Sequence, residues 1–401
     1  MILSKNVSAY YYSQNALRKA LRSQDFWKYN LKKESIEKEI NRITNFFATN
    51  SQKIVRINKT KLKSKEIFVA DSLDDTLLLR CTDWILKRGF SLSSFDRNED
   101  IKQVMNLLAQ KNSYSIFRTD IKNFFESIKL KEIISVLERS DFYNLSVLEY
   151  LTKLGHYLES KNILSLPRGL SISSTLSNIY LQDLDRLIFQ NFDVIFYSRY
   201  VDDILILTEN DSYGITEEIG NWLEDHSLNL NLEKTKFVKV KDDNRNFEYL
   251  GYRFISVNGK YEIGIDKKKI DKIKTRICLA IKGFNQDKKY SLLLRRLKFL
   301  SGNTEMKIAG RSRKLLHGLR YQYSLSTEEH LMLNVKELDK FYHTILNSKK
   351  YSVSRKLRSL LENQQYIELR KISFTAGFER KITNSEDRKS ISQIKRIWMH
   401  V

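Results

Sequence analysis

The sequence predicts an α+β fold in which helices cover one face of a small, split βαβ sheet. The 401 residues include one proline and 13 glycines, so few residues interrupt helices. Helical periodicity dominates both ends of the chain. In the middle, the segments follow the order strand, helices, hairpin, helix, strand. Such a sheet can place the end of one strand beside the tip of a hairpin that is distant in sequence.

The elements follow from hydrophobic periodicity along the chain. Helices are expected at 15–47, 72–88, 97–110, 130–139, 144–160, 171–190 and 215–226. Strands are expected at 114–121, 194–200, 204–208, 234–240 and 248–255. Residues 48–70 are basic and irregular, with short strands. From residue 266 onward the pattern is helical to the end.

Charge is unevenly distributed. Residues 266–401 hold 32 Lys and Arg against 13 Asp and Glu, which is +19 of the net charge of +22. Aromatic residues interleave with basic ones there, as in "KKYSLLLRRLKFL" and "KKYSVSRKLRSL". This favours nucleic-acid binding by phosphate neutralisation and stacking over solvated helix faces or a membrane surface. Arg311, Arg313 and Lys314 form one candidate phosphate-binding cluster.

Other features limit the function classes. No window approaches the ~18–20 apolar residues of a membrane span. The N-terminal stretch lacks the apolar core of a signal peptide. Two cysteines, Cys81 and Cys278, are far apart and lack metal-ligand spacing. They are expected to be reduced thiols in a cytoplasmic protein.

Three carboxylates stand at predicted strand ends. Asp120 ends "SIFRTD", and Asp202 and Asp203 lie between two strands in "YSRYVDDILIL". A plain hairpin would favour Asn-Gly or Asp-Gly there. If the strands pair, the carboxylates converge, which is costly unless a cation compensates. Two Mg²⁺ ions suit such oxygen ligands and phosphoryl transfer. The alternative is a simple Asp-Asp turn with Asp120 as a helix cap.

Five segments resemble, in order, the palm motifs of reverse transcriptases. They are "DIKNFFESI" (120–128), "LPRGLSISSTLSNIYL" (166–181), "YSRYVDDILIL" (197–207), "LNLNLEKTKF" (228–237) and "FEYLGYRF" (247–254). The resemblance covers roughly residues 70–265. It implies a right-hand polymerase with fingers, a split βαβ palm and a helical thumb, plus a basic helical C-terminal extension. The implied domains are 1–113 (fingers and N-terminal helices), 114–265 (palm) and 266–401 (thumb and basic region).

The subgroup resemblance rests on Arg168. Group II intron and retron enzymes usually have Gln at that position, whereas "PRGLSIS" is similar to defence-associated, abortive-infection-like bacterial reverse transcriptases. This implies RNA-directed DNA synthesis from dNTPs in antiphage defence, with a structured non-coding RNA and a DNA product. A companion reverse transcriptase or a second copy of the chain is a further candidate partner. The alternatives are a retron or group II intron-type enzyme and, in another class, an inactive RNA-binding scaffold.

The resemblance also implies the metal ligands. Asp120 and Asp202 would bind both Mg²⁺ ions, with Mn²⁺ as a substitute. Asp203 would be a weaker or water-mediated ligand. The main-chain carbonyl of Ile121 is a further candidate.

The remaining roles concern substrates. Phe125 is the implied aromatic gate against a ribose 2′-OH, with Phe124 as the core neighbour. Arg168, Gly169 and Val201 would contact nucleotide, template or primer. Ser171 or Ser173 would contact the template or cap a helix.

Lys234 matches a lysine that could protonate the leaving pyrophosphate, or it is a surface lysine. Tyr249, Gly251 and Tyr252 resemble the hairpin that grips the primer. For the triphosphate, the basic candidates are Arg80, Lys87, Arg97 and Arg118, of which Arg97 and Arg118 are preferred. Protein priming from a Tyr or Ser hydroxyl stays open.

Overall fold

The computed structural model describes most of the chain. It covers residues 13–49, 55–62, 65–92, 95–110, 114–142, 144–209, 214–239, 246–257, 260–306, 315–380 and 383–398. The candidate cluster of Arg311, Arg313 and Lys314 lies outside these ranges. Within them, no helix is long and apolar enough to cross a bilayer.

Helices make up most of the described chain. Up to residue 239 they are α1 (Gln14–Ala20), α2 (Ser23–Lys28), α3 (Ile36–Thr49), α4 (Leu73–Gly89), α5 (Arg97–Leu108), α6 (Phe124–Ser127), α7 (Leu130–Arg139), α8 (Leu145–Ser160), α9 (Ser173–Tyr180), α10 (Gln182–Asn191) and α11 (Ile215–Asp225), with a 3₁₀ turn at Lys33–Ser35. Those that follow are α12 (Lys267–Asp287), α13 (Tyr290–Ser301), α14 (Leu319–Gln322), α15 (Glu328–Asn347), α16 (Ser352–Leu360), α17 (Asn363–Arg370), α18 (Phe374–Glu379) and α19 (Arg388–Arg396).

The strands form four small sheets. They are β1 (Ile57–Leu62), β2 (Lys65–Ala70), β3 (Ser115–Asp120), β4 (Val194–Tyr200), β5 (Asp203–Thr208), β6 (Lys236–Lys239), β7 (Phe247–Tyr249), β8 (Tyr252–Val257), β9 (Lys260–Ile265), β10 (Asn303–Met306), β11 (Leu315–His317) and β12 (Thr383–Glu386). The sheet orders are β1-β2, β4-β5-β3-β6, β7-β8-β9 and β11-β10-β12.

The chain divides into two compact units. The first comprises Met1–Asp96 and Ser113–Lys239, and the second comprises Arg97–Asn112 and Val240–Val401. The unit boundary therefore lies near residue 240, whereas the sequence places a domain boundary at 265–266. Helix α5 groups with the second unit, although the sequence assigns it to the first domain.

The four-stranded antiparallel sheet organises the first unit. Phe117 on β3 and Ile204 and Ile206 on β5 are fully buried and belong to one apolar core with Ile133 of α7 and Leu176 of α9. Burying each such side chain contributes about 1.5–3 kcal/mol. The central strands β3 and β5 are thereby fixed in register, which fixes the backbone at their ends.

The α+β class is confirmed, and several bounds match. Helix α7 and strand β4 lie where the sequence predicts them. The expected helix 171–190 is two helices, because α9 ends at Tyr180 and α10 begins at Gln182. Strand 248–255 is a hairpin of β7 and β8. The expectation of helix from residue 266 to the end was wrong in part, since β10, β11 and β12 form a sheet there.

Candidate active site

The strand register brings the three predicted carboxylates to one end of the sheet. Asp120 is paired with Asp203 across β3 and β5, and Asp203 is also paired with Tyr200 across β4 and β5. Asp202 thus lies in a two-residue turn. Its main-chain carbonyl accepts a hydrogen bond of 3.0 Å from the Ile121 amide. The end of one strand therefore meets the tip of a distant hairpin, as the sequence predicts.

The turn itself is strained. Val201 has a φ of 63°, in the left-handed region that β-branched residues rarely adopt. The neighbouring strand is firmly anchored, since the guanidinium of Arg199 contacts both carboxylate oxygens of Asp185 at 2.6 and 2.7 Å. Only 7% of the Arg199 side chain is exposed. A rigid hairpin holds the unfavourable backbone in place.

Asp120 is held from the motif around residue 231. Its carboxylate accepts hydrogen bonds from Asn231 Nδ2 at 3.2 Å and from Lys234 Nζ at 2.9 Å. The main-chain amide of Asn231 also donates to the main-chain carbonyl of Asp120 at 2.8 Å. Sequence reasoning found Lys234 but missed Asn231, although Asn231 lies in the quoted motif "LNLNLEKTKF".

Burial destabilises the other two carboxylates in their charged form. The pKa of Asp202 is raised by burial and then by the nearby charge of Asp120. Burial raises the pKa of Asp203 to about 6, and Arg118 partly opposes this. Arg118 Nη2 lies 3.3 Å from Asp203 Oδ1, but its hydrogen-bond geometry is met only toward Oδ2, at 3.5 Å. The buried Oδ1 therefore has no hydrogen-bond partner among the described residues.

These residues fit a cation in their donor chemistry. Asp202 and Asp203 are buried acids that would ionise more readily beside a positive charge. The described residues nevertheless contain no group of three or more His, Cys, Asp or Glu side chains in a metal-holding arrangement. Lys234 contacts Asp120 at 2.9 Å, and Arg118 contacts Asp203 at 3.3 Å. The backbone is preorganised, whereas two carboxylates are turned to neighbouring cations.

Phe125 lies beside a charged clamp. The Arg168 guanidinium is 4.8 Å from the centre of the Phe125 ring. Its Nε and Nη2 both lie 3.1 Å from the carboxylate of Glu126. Phe124 is 1% exposed and belongs to the core, as expected. Glu126 was not singled out in the sequence, because a contact between residues 126 and 168 leaves no periodic signal.

The Gly169 turn is a close backbone approach. Its φ is 104°, and a Cβ atom there would lie 2.7 Å from the carbonyl oxygen of Phe68. Ser173 is 1% exposed and donates to the carbonyl of Pro167 at 2.6 Å, so it stabilises this turn. The buried hydroxyl of Ser171 has no hydrogen-bond partner among the described residues.

Two of the basic candidates are engaged within the first unit. Arg80 forms an ion pair with the buried Asp25, and only 9% of the Arg80 side chain is exposed. The Arg80 guanidinium also donates to the Ala20 carbonyl at 2.9 Å, so its terminal nitrogens are occupied by these contacts. Lys87 is half-exposed and contacts Asp83 at 2.8 Å.

The predicted primer-grip residues lie on one hairpin of the second unit. Tyr249 and Tyr252 are fully buried, and the turn between them has φ values of 48° at Leu250 and 83° at Gly251. Arg97 donates to the Leu250 carbonyl at 2.9 Å and stacks 4.5 Å from the centre of the Tyr252 ring. The guanidinium is thus occupied by this hairpin, and its assignment to triphosphate stays a prediction.

A large cleft in the first unit lies apart from these residues. Its volume is about 1140 Å³, and it is lined by polar and charged groups that include Glu132, Arg139, Tyr180, Arg186 and His226. None of the predicted site residues lines it. The presence of this cleft therefore does not identify the candidate active site.

Residues 72–254 match the sequence profile of the family described as reverse transcriptase (RNA-dependent DNA polymerase). This match spans all five quoted motifs and the three carboxylates. Residues 72–254 form a reverse transcriptase domain. The predicted right-hand polymerase fold and enzyme class are confirmed for this domain, which occupies slightly less than half of the chain.

The reverse transcriptase domain has a bacterial relative. The retron Ec73 reverse transcriptase of Escherichia coli is 24% identical over 239 residues, which cover 52% of this chain and 71% of that protein. The bacterial type of reverse transcriptase is supported, whereas the defence-associated subgroup stays a prediction.

Solved telomerase structures are more distantly similar to this chain. Apo telomerase from Candida tropicalis has a TM-score of 0.40 and 14% identity, covering 91% of this chain and 71% of that one. A form truncated from the C-terminal domain has a TM-score of 0.38 and 11% identity, and covers 53% of this chain. The alignment spans 55% of that telomerase, about half of its length. Scores this low carry no argument about function.

Proposed function

We propose that the protein is an RNA-directed DNA polymerase that joins dNTPs into DNA on an RNA template. The observation that carries the proposal is the pairing of Asp120 with Asp203, with Asp202 in the adjoining turn. Nucleotidyl transfer needs clustered carboxylates on a rigid support, and these stand at the end of the central strands.

Asp120, Asp202 and the main-chain carbonyl of Ile121 would hold Mg²⁺, with Asp203 as a weaker ligand and Mn²⁺ as a substitute. Two bound ions would stabilise the attacking and leaving oxygens of an in-line displacement. Burial keeps the carboxylates of Asp202 and Asp203 poorly compensated, which favours taking up a cation. Lys234 and Arg118 then become available for the phosphates of the substrate.

The other side chains have distinct tasks. Phe125 would exclude nucleotides that carry a 2′-OH, because an aromatic ring fills that space. Lys234, about two-fifths exposed, can reach solvent and would donate a proton to the leaving pyrophosphate. Val201 and the turn at Leu250 and Gly251 would contact the primer through the backbone, since Tyr249 and Tyr252 are buried.

The remaining chain would bind nucleic acid. Residues 1–113 would contribute fingers, 114–265 the palm, and 266–401 the thumb with its basic extension. The +19 charge of residues 266–401 supports this assignment, since phosphate contacts supply most sequence-independent affinity. A companion reverse transcriptase or a second copy of the chain would be a further partner in the cytoplasm.

We propose antiphage defence with a structured non-coding RNA as the biological role, supported by the resemblance around Arg168. A retron-type enzyme is the second candidate, favoured by the retron Ec73 relative. Since a retron enzyme would also copy a non-coding RNA, the two roles are distinguished by the genes that neighbour this one.

Sequencing the nucleic acids that co-purify with the wild-type protein and with Asp202→Ala tests both the polymerase activity and the biological role. We expect RNA with both proteins and complementary DNA only with the wild type. Both roles expect DNA copied from a non-coding RNA, so a second polymerase gene beside this one would favour the defence role, and its absence would favour the retron alternative. RNA without DNA in either sample, together with no primer extension, would support the inactive scaffold and overturn the polymerase.

A further inference from the structure

Three basic side chains of the second unit converge around two buried aromatic rings. The imidazole of His317 stacks on Phe299, with ring centres 4.6 Å apart, and Lys395 Nζ lies 5.4 Å from the same ring. The guanidinium of Arg276 lies 5.8 Å from Trp398, whose ring is 6.0 Å from Phe299. We call Arg276, His317 and Lys395 the basic cluster. Its members come from α12, β11 and α19, so the tertiary fold assembles it.

The basic cluster has no acidic partner within the described ranges. Its members form none of the ion pairs found there, and Arg276 Nε and His317 Nδ1 are buried without a hydrogen-bond partner. Neighbouring cations behave differently. Lys274, on the same helix as Arg276, contacts Glu337 at 2.5 Å, and Arg295 contacts Glu386 at 2.6 Å. Buried donors without acceptors cost free energy, so this arrangement calls for an anionic ligand.

A fourth cation lines the same contact between α12 and the end of α19. Arg296 is 5% exposed, and its Nε and Nη1 atoms have no hydrogen-bond partner among the described residues. A Cβ atom on Gly283 would lie 3.0 Å from Arg296 Nη1 and even closer to Ile397, the residue before Trp398. The absence of a side chain at Gly283 thus gives room to the buried guanidinium.

The electrostatics agree with this geometry. Burial lowers the pKa of Arg276 and Arg296, and burial followed by the charge of Arg276 lowers the pKa of Lys395. The His317 pKa falls to about 4 through burial and the charges of Lys395 and Arg276. Asp287 opposes the shift of Arg296 and Tyr323 opposes that of Arg276, in each case after the larger effect of burial. Arg276 and Lys395 thus repel each other, and both disfavour a charge on His317.

We propose that the basic cluster is a binding site for a phosphate group. Phosphate suits it because three oxygens can accept hydrogen bonds from donors that approach from different elements. Lys395 is exposed, so the site can be reached from solvent. The phosphate would come from a 5′ end of RNA, from its backbone, or from free phosphate. The proposal does not depend on polymerase activity.

Thermal unfolding of the full chain in inorganic phosphate, against chloride at equal ionic strength, tests the site. Phosphate should raise the Tm of the wild type, because a ligand of the native state stabilises it. The double variant Arg276→Gln/Lys395→Gln should bind phosphate about tenfold more weakly or worse, since charged hydrogen bonds are lost. Lys274→Gln is the matched control, because it removes one paired charge from the same helix and should keep the response.

The same proteins distinguish the sources of phosphate. RNA oligomers of one sequence, with a 5′-phosphate or a 5′-hydroxyl, are compared by fluorescence anisotropy. A wild-type preference for the 5′-phosphate that the double variant lacks identifies a terminal phosphate. Equal binding of both oligomers that falls in the double variant identifies the backbone. If the double variant binds both oligomers as the wild type does and loses only the Tm response to phosphate, the ligand is free phosphate.

Folding of the variants is controlled in chloride alone. There the double variant should be at least as stable as the wild type, because it removes mutual repulsion. Lys395→Gln alone changes an exposed side chain. It replaces the double variant in the phosphate measurements if the double variant does not fold. A phosphate response that persists in these variants, or that Lys274→Gln loses equally, would overturn the proposal.

Discussion

The guanidinium carbon of Arg168 lies 4.8 Å from the centre of the Phe125 ring. The same guanidinium is held by both carboxylate oxygens of Glu126, the residue after Phe125. The ring is therefore flanked by a cation that its own neighbour fixes. A stacked Arg restricts the ring and gives the gate a defined position.

Replacing Phe125 with Ala or Val should relax sugar discrimination, because the space for a 2′-OH opens. Primer extension with ribonucleotides measures the effect. Phe124→Leu is a matched control. The Phe124 side chain lies in the core, so its replacement should affect stability rather than sugar selectivity. Unchanged ribonucleotide incorporation by the Phe125 variants would assign that ring to the core.

Glu126→Gln should weaken the clamp without removing the ring. The bidentate ion pair is about two-fifths exposed at Glu126, so the stability change should be small. We expect a partial loss of sugar discrimination, between that of the wild type and that of Phe125→Ala. Combining Glu126→Gln with Arg168→Gln should add little, because both remove one interaction. An additive effect would mean that Arg168 contacts the substrate independently.

Asp120→Ala and Asp202→Ala should abolish primer extension while the chain still folds. Circular dichroism and thermal unfolding check the fold. Asp183→Ala is the control, because Asp183 is exposed and, among the described residues, forms its ion pair with Arg186 across one helical turn. Extension at wild-type rate by either variant would remove the metal assignment. Asp203→Ala should also be damaging.

Asp203 should make stability fall as the pH rises when no divalent ion is present. Its pKa rises from 3.8 to about 6 on folding, so the folded state binds the proton more tightly. The resulting stability is present below pH 4 and is lost as the pH passes 6, a change on the order of 2–3 kcal/mol. Urea unfolding from pH 4 to 7 in EDTA should show this decline for the wild type relative to Asp203→Asn. Added Mg²⁺ should reduce it, and parallel curves would contradict the assignment.

Val201→Gly should be more stable than Val201→Ala by about 1 kcal/mol, the reverse of the usual order. The reason is the φ of 63°, which glycine adopts without strain. Both variants lose the same packing of the branched side chain to a first approximation. Equilibrium unfolding measures the difference. Primer extension by Val201→Gly should be slower, because the turn before Asp202 becomes flexible. Greater stability of Val201→Ala would contradict the backbone strain at Val201.

Some features follow from local pattern and others do not. Strand β4 and helix α7 were predicted at their observed bounds because their apolar residues repeat clearly. Strands β10 and β12, "NTEM" and "TNSE", are four residues long and mostly polar, so no alternation marks them. The three carboxylates were found because Asp120 ends one predicted strand and Asp202 and Asp203 stand between two others. The contacts of Asn231 with Asp120 and of Glu126 with Arg168 were missed. They join residues that are distant in sequence, and no hydrophobic periodicity indicates such pairs.

The central position of β3 bears on how the protein is made. The strand that carries Asp120 pairs on one side with residues 203–208 and on the other with residues 236–239. During translation neither neighbour exists when β3 leaves the ribosome. The end of the sheet that carries the carboxylates therefore cannot close until about 120 further residues have been synthesised, and pairing over such separations is slow. A nascent chain that ends before residue 236 lacks β6, so we expect Asn231 and Lys234 not to be held beside Asp120 until that strand has been added.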